Sequence, residues 1–189
     1  MQYQAVVFDF FGVVCSEVAP FWLRRHFAEG DAGHLKASLV RAADAGMISQ
    51  AQMFTQLSSM TGVSASKIES EWFDLAHVDR KTVALCKRLK ARVKLGLLTN
   101  SPADFVRGLL ARDRLDVIFD SVVVSSEVHC TKPDPRTYSL ILEKLMVEAQ
   151  DALMIDDNSD NVHGAVQVGM KGILFHSAEE LEVTLCDLL

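Results

Sequence analysis

The first fourteen residues contain an apolar run broken by a single carboxylate, Val6-Val7-Phe8-Asp9-Phe10-Phe11-Gly12-Val13-Val14. Short runs of apolar and β-branched residues bounded by turn signals predict buried strands. The first ends at Asp9, and four later ones span about 93–99, 121–125, 152–156 and 172–175. From about Asp79 onward these runs alternate with helical patterns, the order expected of a parallel sheet with crossover helices. Ser101-Pro102 has the form of a helix start, a capping hydroxyl followed by proline.

Between the first run and the second lies a stretch with no strand pattern. Pro20 opens a segment carrying Phe21, Trp22, His26 and Phe27, while Ser49 with Gln52 and Ser66 with Glu69 have the spacing of capping boxes. Gly30, Gly33, Gly46 and Gly62 punctuate these segments. The expected organisation is α/β: a Rossmann-like parallel sheet core with helices on both faces, from residues 1–15 and 82–189. A small all-helical insert occupies residues 16–81.

At 189 residues the chain can build one well-buried core and a small accessory domain, but not two full-sized domains. Its 49% hydrophobic and 23% charged residues are ordinary globular values, which exclude a disordered or fibrous chain. A net charge of −6 argues against a general nucleic-acid surface, which needs a basic face. The longest apolar runs are strand-sized and no signal-peptide pattern opens the chain, so no membrane association is expected and a cytoplasmic protein is. Cys15, Cys86, Cys130 and Cys186 form no C-x-x-C pair and point to reduced thiols rather than zinc or a disulfide framework. The histidines at 26, 34, 77, 163 and 176 form no ligand cluster and receive no metal role.

Asp9 is the first position with a claim to chemistry. It closes a predicted strand, and in open α/β sheets ligands bind at the carboxyl ends of the strands. Capping a helix or closing a turn is the competing use of such an Asp. Three further polar clusters share that placement: Thr99-Asn100-Ser101 after the second run, Thr131-Lys132-Pro133-Asp134 before a helical pattern, and Asp156-Asp157 after the fourth run.

In order and spacing these four clusters resemble the signature motifs of the haloacid dehalogenase superfamily, in the subfamily with a helical cap after the first motif. That resemblance implies mostly magnesium-dependent phosphohydrolases with an Asp nucleophile. Asp9 then matches the nucleophile, Thr99 and Asn100 the phosphate-binding pair, and Lys132 the basic residue that binds substrate and steadies Asp9. Asp156 and Asp157 match the metal-binding acids. The ligands of the Mg2+ would be Asp9, the backbone carbonyl of Phe11, Asp156 and Asp157, and the implied partner is a small phosphorylated metabolite hydrolysed through an aspartyl-phosphate.

One departure bears on the chemistry. Phosphatases of the family usually carry a second Asp two residues after the nucleophile as general acid and base, and here that position is Phe11. Val13 likewise stands where Thr is frequent. Glu17 and His129 are candidate substitute acids. Phe11 also admits a 2-haloacid dehalogenase, whose relatives carry an aromatic residue there and need no metal, or a weakly active regulatory phosphate-binding protein. The sequence leaves the substrate and the oligomeric state open.

Overall fold

Runs such as Ala5-Val6-Val7-Phe8 are uniformly buried, so these segments form strands covered on both sides rather than amphipathic surface strands. The computed structural model describes residues 3–188. Five parallel strands, β1 (Ala5–Phe8), β2 (Lys94–Thr99), β3 (Ser121–Val124), β4 (Ala152–Asp156) and β5 (Lys171–Leu174), form one sheet in the order β3-β2-β1-β4-β5. All five lie within a residue or two of the expected runs. Ser125, expected at the end of the third strand, instead begins a short helix.

After β1 the chain makes a tight turn, with the amide of Gly12 donating to the Cys15 carbonyl at 2.7 Å. It then forms α1 (Ala19–His26), α2 (Glu29–Leu35), a π-helical turn (Lys36–Val40), α3 (Arg41–Asp44), α4 (Gln50–Thr61) and α5 (Ala65–Leu75). Ser49 caps α4 in a reciprocal box with Gln52. The second expected box is displaced: Ser64 caps α5, accepting from the Lys67 amide, because its extended backbone ends the preceding loop and leaves Ser66 inside the helix. Trp22 is fully buried and its indole N–H donates to Glu71 at 2.8 Å, whereas Phe21 is half exposed. The outgoing and returning connections run side by side: Cys15 bridges Val78, while the Ser16 hydroxyl donates to the Leu75 carbonyl at 2.8 Å and accepts from the His77 amide at 2.9 Å.

The remaining helices are α6 (Arg80–Leu89), α7 (Ala103–Arg112), α8 (Ser125–Val128), α9 (Pro135–Leu145), α10 (Ser159–Gln167) and α11 (Ala178–Leu188). Side chains alternate across the sheet with the period of two that strands impose. Val6, Phe8, Leu95, Leu97, Leu153 and Ile155 join the core containing α6, α7, α11 and the inserted helices. Ala5, Val7, Leu98, Ala152 and Met154 face α9 and α10. Gly96 lets α9 approach, since a Cβ there would stand 3.0 Å from Leu145. At Ser101-Pro102 the helix starts later than expected: Pro102 is the extended N-cap, α7 begins at Ala103, and the Ser101 hydroxyl donates to the Pro102 carbonyl instead of capping. All four cysteines are free, three of them buried. Burial pushes the Cys15 and Cys86 thiols up to about 12.

Candidate active site

Because β1 lies between β2 and β4, and the helices leading into those two strands, α6 and α9, pack on opposite faces, the crevice at the carboxyl ends of these strands is the position where such a sheet binds ligands. Parallel register then decides what meets there. Phe8 pairs with Ile155, so the next residues, Asp9 and Asp156, stand side by side, with the Asp9 amide donating to the Ile155 carbonyl at 2.8 Å. Two carboxylates so placed repel unless a cation intervenes. The Lys132 ammonium does so, 2.9 Å from Asp9 Oδ1 and 2.6 Å from Asp156 Oδ2, with no side-chain exposure.

Asp156 also accepts from the Asn158 amide at 2.9 Å and from Asn161 Nδ2 at 3.0 and 3.1 Å. Asp9 Oδ1 accepts from the Phe10 amide at 2.6 Å. Burial works against the charge on Lys132, but Asp9 and Asp156 outweigh it and hold the ammonium above its ordinary range. Burial also raises Asp9, with Lys132 opposing and Asp156 adding.

The loop carrying Lys132 is fixed from two sides. Asn100 accepts from the Lys132 amide at 2.8 Å and donates to its carbonyl at 2.9 Å. Gly164 admits the following residue, because a Cβ there would stand 2.8 Å from the Pro133 ring. Asn100, expected to offer its amide to a ligand, is thus committed to holding this loop, with only one side-chain N–H left over. Thr99 presents the opposite case. Its hydroxyl is buried without a hydrogen-bond partner, a cost of about 1–3 kcal/mol that an arriving acceptor would remove.

Asp157, exposed beyond the end of β4, completes an acidic trio with Asp9 and Asp156, each offering an oxygen within 4.8 Å of the others. Gly12 makes room for it. At a φ of +83° this residue is in the left-handed region, and a Cβ there would lie 2.2 Å from Asp157 Oδ2. With one ammonium among three carboxylates, two formal negative charges lack compensation. An all-oxygen donor set with that deficit fits a hard divalent cation such as Mg2+.

Asp9 and Asp157 open into a cavity of about 380 Å³, also lined by Thr99, Phe11, Trp72 and Phe105. Phe11 stacks on Phe105 with centroids 5.7 Å apart and planes 9° from parallel, and Phe105 meets Trp72 edge-on. The side chain at the departing position therefore packs between sheet and insert. Of the two candidate substitute acids, Glu17 lines the cavity and His129 does not. Lys36, the first residue of the π-helical turn, Arg41, just after it, and Asp44 share the same wall. Sequence reasoning passed over these three and Asn161. Nothing in a helical pattern marks a π turn or which of its residues will face a cleft, although Asn161, in the first turn after Asp156-Asp157, lay within reach of a local reading.

A family model for haloacid dehalogenase-like hydrolases matches residues 3–169. The chain belongs to this family. Among curated relatives, a phosphatase of Mycobacterium tuberculosis is 38% identical over 92 residues, covering 48% of this chain and 42% of that protein. The chain spans less than half the length of the first curated relatives it matches. A haloacid dehalogenase family enzyme of Bacteroides thetaiotaomicron has the same fold at a TM-score of 0.84 and 17% identity, covering 98% of this chain and 99% of that one. The same enzyme has been solved with magnesium and inorganic phosphate. The L-2-haloacid dehalogenase of Xanthobacter autotrophicus is also similar, with a TM-score of 0.70, 21% identity, and 98% and 83% coverage. The family's architecture therefore accommodates both chemistries. Among the described residues no helix is long and apolar enough to cross a membrane.

Proposed function

We propose that the protein is a magnesium-dependent phosphohydrolase acting on a small phosphorylated metabolite through an aspartyl-phosphate. Residues 16–81 would form the cap over a core of residues 1–15 and 82–189. The observation that carries the reading is the convergence of Asp9, Asp156, Asp157 and Lys132 beside the unpartnered Thr99 hydroxyl. The phosphatase among the curated relatives and the magnesium and phosphate complex of the Bacteroides enzyme support it. Free thiols accord with a cytoplasmic setting.

In this reading Asp9, Asp156, Asp157 and the Phe11 carbonyl would hold the Mg2+, which supplies charge neutralisation when bound. Lys132 and the Phe10 amide both meet Asp9 at Oδ1, so the oxygen that accepts no hydrogen bond among the described residues, Oδ2, is the attacking atom. The Oδ2–P bond forms as the bond from phosphorus to the leaving oxygen breaks, and that oxygen takes the electron pair. The Thr99 hydroxyl and Lys132 receive the charge on the phosphoryl oxygens. Glu17 supplies the proton that Phe11 cannot. It lines the cavity and has no hydrogen bond or ion pair among the described residues, and burial raises its carboxyl despite Lys36. A water then attacks phosphorus, giving its proton to Glu17 and releasing phosphate and free Asp9.

The dehalogenase reading is favoured by Phe11 and by the Xanthobacter neighbour. The uncompensated acidic trio weighs against it, since halide displacement by Asp9 requires no divalent cation. A phosphorylated-metabolite screen with Mg2+ and with chelator, run beside chloride release from 2-chloropropionate, separates the two. Metal-dependent phosphate release is expected, and metal-independent chloride release would overturn the proposal.

A further inference from the structure

The Ser125 hydroxyl, with no exposure, stands where three parts of the molecule meet. Its oxygen accepts from the Ser101 amide at 2.9 Å, in the turn that follows Thr99 and Asn100. Its proton goes to the carbonyl of Asp44, at the end of α3 in the insert. Beside this contact Gly46, at a φ of +69°, lies so close to the core that a Cβ would stand 2.5 Å from the Ser126 carbonyl and 2.8 Å from His129 Nδ1.

We propose that Ser125 is a positioning residue that couples the seating of the inserted helices to the conformation of the phosphate-receiving turn. The inference deepens the hydrolase reading and rests on it for the role of that turn. A hydroxyl has one proton. While Asp44 is in place, that proton points at the insert and the lone pairs are free for Ser101 N–H. If the insert lifts away, the protein acceptor left within reach is the Ser101 carbonyl at 3.5 Å, and to bring its proton to normal hydrogen-bond distance there the hydroxyl must shift from the position at which it now receives the Ser101 amide. The hydroxyl is thus an element with two arrangements that both sites bias, the physical requirement for coupling. A displaced Ser101 also disturbs its neighbour Asn100, whose side chain holds the backbone of Lys132.

The test is a double-mutant cycle. Gly46→Ala should unseat the insert, accelerating amide exchange over residues 99–101 about tenfold and raising KM for p-nitrophenyl phosphate more than it lowers kcat. Ser125→Ala should do the same alone, and the double variant should go no further. Ser125→Cys keeps the side-chain shape, with a larger atom that is a poorer donor and acceptor, and should behave like Ser125→Ala, which covers the case where the alanine variant does not fold. Additive effects of Gly46→Ala and either Ser125 variant, or exchange unchanged by both Ser125 variants, would overturn the coupling. The exchange measurement needs no turnover, so failure of the hydrolase reading would show separately, as a wild-type protein with coupled exchange and no phosphate release.

Discussion

Two charged groupings, one reaching the cavity through Asp9 and one spread along its wall, are built in opposite ways. At the strand ends, Asp9, Lys132 and Asp156 are buried and tied to one another and to neighbouring amides. On the wall from the insert and its linker, Glu17, Lys36, Arg41 and Asp44 are half-buried or exposed, and no side-chain hydrogen bond or ion pair engages them among the described residues. A buried network whose members bind one another holds its geometry without a ligand and is intolerant of change. A wall of unengaged charges can be altered at little cost in stability, and its contacts are made when a ligand arrives. Under the proposed function the first group would carry the phosphoryl chemistry and the second proton supply and selectivity.

The largest effect should come from the nucleophile. Asp9→Asn preserves volume but cannot form an acyl phosphate, so phosphate release should fall by at least about 10⁴-fold while the thermal transition stays within a few degrees. Wild-type turnover in a folded variant would remove Asp9 from its assigned role. Lys132→Met tests whether the strand-end group is a single unit. Without the ammonium, Asp9 and Asp156 face each other buried, and denaturant unfolding should show a loss of about 3–5 kcal/mol beside the loss of activity. A loss below about 1 kcal/mol would mean that the cluster is not held by this pair.

Glu17→Gln probes the boundary between the two groupings. Alkyl phosphates, whose leaving alkoxides need a proton, should slow by about 10² to 10⁴, and aryl phosphates should change little. Burial, opposed by Lys36 and reinforced by Asp157 and Asp156, raises the Glu17 carboxyl. The active protonated form therefore persists to higher pH, and turnover of alkyl substrates should decline as pH rises through the raised value. In Glu17→Gln that limb should be absent from the pH profile, and its survival would place the acid elsewhere. Smallest of all, Lys36→Ala and Arg41→Ala should shift stability by no more than about 0.5 kcal/mol, as exposed residues do, and change KM by up to roughly tenfold. Stability losses as large as that of Lys132→Met would erase the distinction between the two groupings.

The strands, their order with the helices, the helical insert and the four polar clusters were legible in the sequence because each is a local pattern. An apolar run ending in Asp or Thr declares a strand and its end, and Ser49 with Gln52 declares a cap, without knowledge of what lies across the molecule. Local reading failed where the deciding partner was remote. Ser101 does not cap α7, and its amide goes to Ser125. Asn100 has the right identity for a ligand contact, but the Lys132 backbone occupies it from 32 residues away.

By itself the sequence determined the strands and the polar clusters that follow them, since periodicity and residue type are properties of the chain. Only the tertiary structure decided how those residues meet. The pairing of β1 with β4 sets Asp9 against Asp156, and a left-handed glycine lets Asp157 approach. Glu17 lines the cavity together with residues of the π-helical turn, whereas His129 ends α8 beside Gly46. These are contacts between distant segments, made by register and packing that no local pattern encodes.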